Sequence, residues 1–127
     1  MLARLTVAIA ALGTAAVADA QNQYGGWVPG SEITGQRVQV QTNGITNTIA
    51  FEPNGVAHIY SPSGATVVDA NWTAKDGQLC LRTSNTFDCY PYTMPFQAGQ
   101  PVDLLSNCAV RSRWMTPNVT ILPGERG

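Results

Sequence analysis

The chain has few charged residues and a single histidine. Asp, Glu, Lys and Arg make up 12% of its 127 residues, and the formal net charge at pH 7 is −1. A domain that binds a phosphate backbone usually carries a basic patch or stripe, and the sequence contains none. We therefore expect no nucleic-acid partner.

The sequence signatures of several common active sites are missing as well. There is no serine-nucleophile motif, no phosphate-binding glycine loop and no cluster of metal-ligand residues. The only histidine, His58, is isolated, and the spacing of the three cysteines is neither C-x-x-C nor that of a zinc site. We therefore expect no metal and no cofactor.

Long apolar runs are confined to the N-terminus. Arg4 precedes an uncharged, mostly apolar run from Leu5 to Ala18, and Ala18-Asp19-Ala20 is a small-x-small cleavage pattern. This combination is typical of a secretory signal peptide, and the run is shorter than the roughly 20 residues of a membrane-spanning helix. We predict a signal peptide over residues 1–20 and a secreted or periplasmic mature chain without stable membrane insertion. An uncleaved anchor is the alternative.

Glycine and proline mark the turns between short strands, and no segment has a convincing helical period. Asn43-Gly44 and Asp76-Gly77 are the preferred pairs of type I′ hairpin turns. Glu52-Pro53-Asn54-Gly55 and Ser61-Pro62-Ser63-Gly64 instead predict three-residue loops, each with glycine at a left-handed bulge position.

The apolar residues decide how these strands pair. The Asn43-Gly44 turn places Val38 opposite Ile49, and a bulged loop places Ile49 opposite Ile59 and Phe51 opposite Ala57. A plain two-residue turn at Asn54-Gly55 would send these apolar side chains to opposite faces of the sheet, because a register slip of one residue moves every side chain of a strand to the other face.

The same reasoning extends through the following strands. We predict that Val67 faces Ile59 and that the Asp76-Gly77 turn pairs Trp72 with Leu81. One face of this region then carries the side chains of Trp72, Leu79, Leu81 and Tyr90.

Cys80 and Cys89 are predicted to form a structural disulfide. If Ser84-Asn85 is the tip of a hairpin, the two cysteines occupy a non-hydrogen-bonded pair, where Cα atoms lie about 4.5 Å apart. Cys108 is then the unpaired cysteine, although three pairings are possible in principle. It is a buried thiol that behaves as a small hydrophobe, or it links two chains or has a reactive role.

Around eight or nine short strands with frequent turn signals predict an all-β, single-domain antiparallel meander. It closes into a small barrel, lipocalin-like or similar, or forms a sandwich. The last candidate strands are 102–105, 109–115 and 119–122, and Ser106-Asn107 repeats the Ser-Asn pair of the central hairpin. The predicted organisation is a signal peptide (1–20), an N-terminal arm (21–34), the β domain (35–122) and a tail (123–127).

The N-terminal arm contains two aromatic residues, Tyr24 and Trp27, in a glycine-rich context. They pack onto the body as a lid, or the segment is a loose, flexible arm.

The sequence offers a few candidate residues for a functional site. His58 and Tyr60 point outward in the predicted register and are the candidate catalytic residues. Arg111 and Arg113 share one face of a strand and could clamp an anion, although a solvated face is the simpler explanation. The candidate binding residues are Trp72, Tyr90, Arg111 and Arg113. Asn71 and Asn118 begin glycosylation acceptor patterns that matter only in a eukaryotic secretory pathway.

Residues 34–92 carry a pattern that can be written F-x-P-x-G, then W-x(4)-G-x-L-C-L, then C-x-Y. Its positions here are Gly35, Phe51, Pro53, Gly55, Trp72, Gly77, Leu79, Cys80, Leu81, Cys89 and Tyr92. The pattern resembles that of a diffuse group of small secreted proteobacterial β proteins of uncharacterised function. The resemblance implies a hairpin-stapled β fold and no particular activity, and it does not cover Cys108.

Three functional hypotheses follow. The first is a non-enzymatic binding or interaction module for a small ligand or a protein, one version being an inhibitor of a secreted hydrolase. The second is a small β-barrel lyase, isomerase or hydrolase that uses His58, Tyr60 or a carboxylate. The third is a structural role in which Cys108 links two chains.

Overall fold

The computed structural model describes residues 25–120, which form eight antiparallel strands and no helix. The strands are β1 (Arg37–Thr42), β2 (Ile45–Phe51), β3 (Val56–Tyr60), β4 (Thr66–Lys75), β5 (Gln78–Arg82), β6 (Phe87–Pro91), β7 (Val102–Leu105) and β8 (Arg111–Met115). In this part of the chain no helix is long and apolar enough to cross a membrane. The predicted signal peptide, Tyr24 and the tail lie outside the described residues.

The sheet is a nearly closed barrel in the order β6-β5-β4-β3-β2-β1-β8-β7. The two edge strands, β6 and β7, meet at a seam that Asn107 bridges. The N–H of Asn107 donates to the carbonyl oxygen of Cys89 (2.9 Å), and the N–H of Cys89 donates to Asn107 Oδ1 (2.9 Å). The all-β fold predicted from the sequence is confirmed, and of the two architectures it allowed the chain forms the barrel.

The type I′ turns lie where the sequence predicts them. Asn43 and Gly44 have φ values of 53° and 79°, and Asp76 and Gly77 have values of 54° and 75°. The resulting pairs include Val38–Ile49 and Trp72–Leu81, so the predicted register of both hairpins is confirmed.

The bulged loops are confirmed too, and a third loop shares their conformation. Gly55 and Gly64 have φ values of 85° and 91°, and β2 and β3 pair Ile49 with Ile59 as predicted. In the β7–β8 loop Ala109 takes the same left-handed position, with φ 63°. This loop is one residue longer than the Ser106-Asn107 pair suggests, so β8 begins at Arg111 instead of Ala109.

Two predictions near strand ends are wrong. Val68, not Val67, pairs with Ile59, because a bulge shifts the register between Ile59 and Tyr60. The predicted strand over 119–122 is not formed in its described part: Val119 and Thr120 have no strand pairing, although the N–H of Thr120 donates to the carbonyl of Glu32 (2.8 Å).

The antiparallel meander gives the barrel two different ends. The β1–β2, β3–β4, β5–β6 and β7–β8 loops lie together at one end, named here the open end. The opposite, closed end carries the β2–β3 and β4–β5 turns, the N-terminal segment (residues 25–36) and the crossing segment (residues 92–101). The chain therefore covers one end of the barrel with its own non-strand segments.

The N-terminal segment packs into the closed end. Ile33 is fully buried in the core, and Trp27 packs against the same cluster. Gly30 approaches the Trp72 ring so closely that a Cβ atom there would lie 2.9 Å from it, and its φ of 91° is left-handed. Of the two alternatives for this segment, the described part (residues 25–34) forms the packed lid.

A buried carboxylate, Glu32, fixes this lid. The indole N–H of Trp27 donates to Oε1 (2.9 Å), while the Tyr92 hydroxyl (2.5 Å) and the Phe96 backbone N–H (2.8 Å) donate to Oε2. The side chain is 1% exposed, so all three bonds lie in a region sheltered from water. Glu32 thereby connects the N-terminal segment to the crossing segment.

Candidate functional site

A cavity of about 400 Å³ opens at the open end of the barrel. Its wall combines strand residues with residues of the β5–β6 loop. The lining residues are Val40, Thr42, Asn47, Ile49, Ile59, Val67, Val68, Leu81, Thr83, Asn85, Thr86, Asp88, Tyr90 and Trp114.

The inner part of the cavity is apolar because alternate side chains of each strand point into the barrel. Val40 and Ile49 lie on neighbouring strands, and Leu81 and Trp114 belong to the same buried cluster. Trp114 is fully buried and donates its indole N–H to Ser112 Oγ (2.8 Å). The floor is thus a packed apolar surface whose one indole N–H is already satisfied.

The inward rows of the cavity wall also contain the polar residues Asn47 and Asp88. Asn47 stands opposite Val40 in the β1–β2 pairing, and Asp88 stands opposite Leu81 in the β5–β6 pairing. Within residues 25–120, the Asn47 amide has no hydrogen-bond partner from the protein. A polar side chain at an inward position near the opening suits contact with a ligand, because sites of this kind combine apolar walls with a few placed polar groups.

Of the described residues that line the cavity, Asp88 is the only charged one. It is half-buried, and its Oδ1 atom accepts a hydrogen bond from the Cys108 thiol (Sγ to Oδ1, 3.2 Å). No ion pair to Asp88 is present within residues 25–120.

Cys108 is a free thiol and is exposed, so of the alternatives left open by the sequence the buried thiol that behaves as a small hydrophobe is wrong. Its position in the β7–β8 loop, at the barrel seam, places it on the surface. The hydrogen bond to Asp88 raises the pKa of the thiol, with smaller contributions from desolvation and the Asp88 charge. Cys108 therefore acts as a hydrogen-bond donor that orients Asp88, and its thiolate form is disfavoured.

Tyr90 forms the wall beneath Asp88. Burial raises the pKa of its phenol, and the nearby Asp88 and Cys108 raise it further, while the Ser112 hydroxyl opposes the shift. The ring packs edge-on against Trp114, with ring centroids 4.9 Å apart. The cavity therefore presents a neutral, fixed aromatic wall at neutral pH.

The β5–β6 loop is preorganised at the opening. Thr83 Oγ1 accepts hydrogen bonds from the backbone N–H groups of Asn85 (3.2 Å) and Thr86 (3.0 Å). The predicted Cys80–Cys89 disulfide is present, with Cα atoms 4.0 Å apart, and joins the two strands below this loop. Loop and strands are thus held by local hydrogen bonds and by a covalent link.

Trp72, a candidate binding residue from the sequence, lies away from this cavity. Its indole N–H donates to the carbonyl of Glu52 (3.0 Å), and its ring packs edge-on against Phe51, with centroids 5.0 Å apart. Trp72 therefore belongs to the closed end. Tyr90 is the only one of the four candidate binding residues that lines the open-end cavity.

The candidate catalytic residues lie on the outer face of the sheet. His58 Nδ1 is 2.8 Å from Asp69 Oδ1, in a pair whose carboxylate is largely exposed. Tyr60 packs under the Arg37 guanidinium, which lies 5.0 Å from the ring centroid. Neither His58 nor Tyr60 lines the open-end cavity.

Arg111 and Arg113 also face outward, beside a shallow surface depression. Arg113 Nε donates to Asp103 Oδ1 (2.9 Å), and this bond lowers the pKa of Asp103 and raises that of Arg113. The Arg113 guanidinium thus has an exposed protein partner, separate from the cavity.

The sequence argument missed Asn47 and Asp88 as site residues. The signal was present, since each is a polar residue at an inward position of an otherwise apolar row. Within residues 25–120 no group of three or more His, Cys, Asp or Glu side chains is arranged to hold a metal ion. The chain matches no known protein-family model, no curated protein and no solved structure.

Proposed function

We propose that the protein is a non-enzymatic binding module that holds a small, largely apolar molecule in the open-end cavity. The observation that carries this proposal is the combination, in one opening, of an apolar floor with the inward polar residues Asn47 and Asp88. A volume of about 400 Å³ falls within the range of roughly 300–1,000 Å³ that is usual for small-molecule sites.

The rigidity of the wall supports a binding role. The Cys80–Cys89 disulfide, the Thr83 hydrogen bonds and the packed Tyr90–Trp114 pair define the cavity without a ligand. A preformed site avoids much of the entropy loss of ordering side chains on association. The free energy of burying apolar ligand surface is then available for binding.

The proposed compartment is extracellular or periplasmic. A structural disulfide persists in an oxidising compartment, and the N-terminal pattern is that of a signal peptide. An inhibitor of a secreted hydrolase would also be a binding module, but the cavity favours a small ligand over a protein partner.

The alternative of a β-barrel enzyme using His58 or Tyr60 receives less support. Catalysis requires the acid–base group to be within hydrogen-bond reach of a bound substrate. His58 and Tyr60 lie on the outer face, and the open-end cavity contains neither residue.

Binding is tested with N-phenyl-1-naphthylamine, an apolar dye that is uncharged at neutral pH and fluoresces in apolar sites. We expect saturable binding to the native protein and at least a tenfold increase in Kd for Asn47→Phe, whose ring would occupy the cavity. The matched control is Thr48→Phe on the same strand, because Thr48 pairs with Gln39 and Tyr60 on the opposite face.

Thr48→Phe should leave the Kd within about twofold of the native value, with near-ultraviolet circular dichroism confirming that both variants fold. Absence of saturable binding to the native protein would disprove the proposal. Equal Kd values for the two variants would show that the dye binds outside the cavity.

A further inference from the structure

Among residues 25–120, the open-end cavity is lined by one charged side chain, the carboxylate of Asp88, and by no Lys, Arg or His. The remaining polar lining groups are neutral hydroxyls and amides, contributed by Thr42, Asn47, Thr83, Asn85, Thr86 and Tyr90.

The carboxylate of Asp88 is incompletely paired. Oδ1 accepts a hydrogen bond from the Cys108 thiol (Sγ to Oδ1, 3.2 Å), and within residues 25–120 no protein donor reaches Oδ2. The nearest basic residue in sequence, Arg82, is directed elsewhere, since its guanidinium stacks on the Phe87 ring at 4.1 Å. A half-buried carboxylate with one oxygen that lacks a protein hydrogen-bond donor is stabilised by a cation that reaches it from the cavity.

We infer that the open-end cavity selects ligands that carry a protonated amine on an apolar or aromatic body, with Asp88 as the group that binds the ammonium. This inference rests on the proposed function, because it specifies the ligand class of the same cavity.

The rest of the wall suits such a ligand. An ammonium group has three N–H donors, and the β5–β6 loop that precedes Asp88 contributes the hydroxyl groups of Thr83 and Thr86 to the same cavity wall as further acceptors. The Tyr90 ring adjoins Asp88 on the same inward face and adds a cation–π surface. The apolar body then lies against the floor formed by Val40, Ile49, Leu81 and Trp114.

Anionic ligands are disfavoured by the same arrangement. A carboxylate or phosphate in the cavity would face Asp88, and no basic side chain of residues 25–120 lines the wall to offset the repulsion. A neutral polar ligand gains the apolar contacts and hydrogen bonds, but not the attraction between opposite charges. The order of affinity should therefore be amine, then neutral polar group, then anion.

Three probes with the same aromatic body test this order: 2-phenylethylamine, 2-phenylethanol and phenylacetate. Their affinities are measured at pH 7 and low ionic strength by displacement of N-phenyl-1-naphthylamine. We expect the amine to bind about tenfold more tightly than the alcohol, and phenylacetate to bind more weakly than the alcohol.

The variant Asp88→Asn keeps the shape of the side chain and removes its charge. It should abolish the preference for the amine, so that the Kd values of the amine and the alcohol in this variant lie within about twofold of each other. The control is Asp69→Asn, since Asp69 is an exposed acid on the outer face and should not alter the preference.

The outcomes separate the two proposals. If the alcohol binds and the amine binds no better, or if Asp88→Asn keeps the preference, the inference about charge is overturned and the cavity remains a binding site. If neither the dye nor any probe binds the native protein, the proposed function fails and the inference fails with it.

Discussion

At the scale of single residues, Glu32 and Ala109 carry the clearest stability predictions. Glu32 is buried with three hydrogen-bond donors around its carboxylate. Ala109 holds a left-handed backbone conformation at φ 63°, a position where the comparable loops have Gly55 and Gly64. The first residue stabilises the closed end of the barrel, and the second stores strain in the β7–β8 loop.

Replacing Glu32 with alanine should lower the free energy of unfolding by about 3 kcal/mol or more. Three buried donors would lose their acceptor, and each unsatisfied donor costs roughly 1–3 kcal/mol. Urea denaturation followed by tryptophan fluorescence measures the change. Glu52→Ala is the control, because Glu52 makes its hydrogen bonds through the backbone, and a loss equal to that of Glu32→Ala would contradict the assigned role.

Ala109→Gly should stabilise the fold by about 0.5–1 kcal/mol. Glycine removes the left-handed penalty of roughly 1–2 kcal/mol, less the extra entropy that glycine has in the unfolded chain. The reverse change, Gly64→Ala, should destabilise by a similar amount, because the site is open and only the φ of 91° opposes a side chain. Thermal unfolding of both variants checks this, and shifts of the same sign would refute the argument.

The buried phenols of Tyr90 and Tyr92 should make the free energy of unfolding depend on pH in the alkaline range. Burial raises the pKa of Tyr90, and burial together with the hydrogen bond to Glu32 raises that of Tyr92 far above its ordinary value. Above about pH 10 the unfolded chain releases these protons while the folded chain keeps them, so stability falls as the pH rises.

Absorbance of tyrosinate at 295 nm should therefore show Tyr90 and Tyr92 ionising only together with unfolding. In Tyr92→Phe one of these delayed ionisations should be lost. Complete ionisation near pH 10 with native circular dichroism would show that the two phenols are not protected.

At the scale of elements, the β5–β6 hairpin connects the disulfide to the cavity. Cys80 and Cys89 link the strands that carry Leu81, Asp88 and Tyr90. Because the bridge closes a short loop, replacing both cysteines with alanine should cost about 2–3 kcal/mol of stability. Urea denaturation measures this cost, with Cys108→Ser as the control for removal of a thiol. An unchanged midpoint in the double variant would contradict a structural role.

The turns show which elements a sequence can predict. Asn43-Gly44 and Asp76-Gly77 specify their hairpins locally, since the turn type follows from the residues themselves. The partner of Ile59 was predicted wrongly because a β-bulge leaves Val67 of β4 without a partner on β3, and the Ser61-Pro62-Ser63-Gly64 turn signature does not indicate this extra residue. Local chemistry predicted the loops, and the register failed where a bulge lies inside a strand pairing.

The site was less predictable than the strands. The inward apolar row identified Tyr90 as a candidate binding residue, but Asp88 was not among the candidates. Its contact with Cys108 joins residues 20 positions apart through the seam of the barrel. The Glu32–Tyr92 bond spans 60 positions, and no pattern in the sequence indicates it. Such contacts depend on closure of the barrel.

At the scale of the whole molecule, the barrel is asymmetric. The N-terminal and crossing segments fill the closed end with Ile33, Phe96 and the Glu32 hydrogen bonds. The open end has only short loops, and Ile45 and Val67 remain exposed there. A chain that closes one end with its own segments and leaves an apolar cavity at the other is well suited to accept a small ligand from a single direction.

Linkage of two chains through Cys108 stays a prediction of the sequence. The thiol is exposed, so a bridge is sterically accessible, and gel mobility with and without reductant measures it. A dimer that disappears in Cys108→Ser would establish the link. A single monomer band under both conditions would exclude it.

The most direct test of the central claim is to map the binding of uncharged 2-phenylethanol by amide chemical shifts in the ¹⁵N-labelled protein. We expect saturable shift changes confined to the open end, at Asn47, the β5–β6 loop and Asp88, with the closed end around Glu32 unaffected. Shift changes centred on the outer face at His58 and Tyr60, or no saturable change at any residue, would contradict the assignment of the open-end cavity as the binding site.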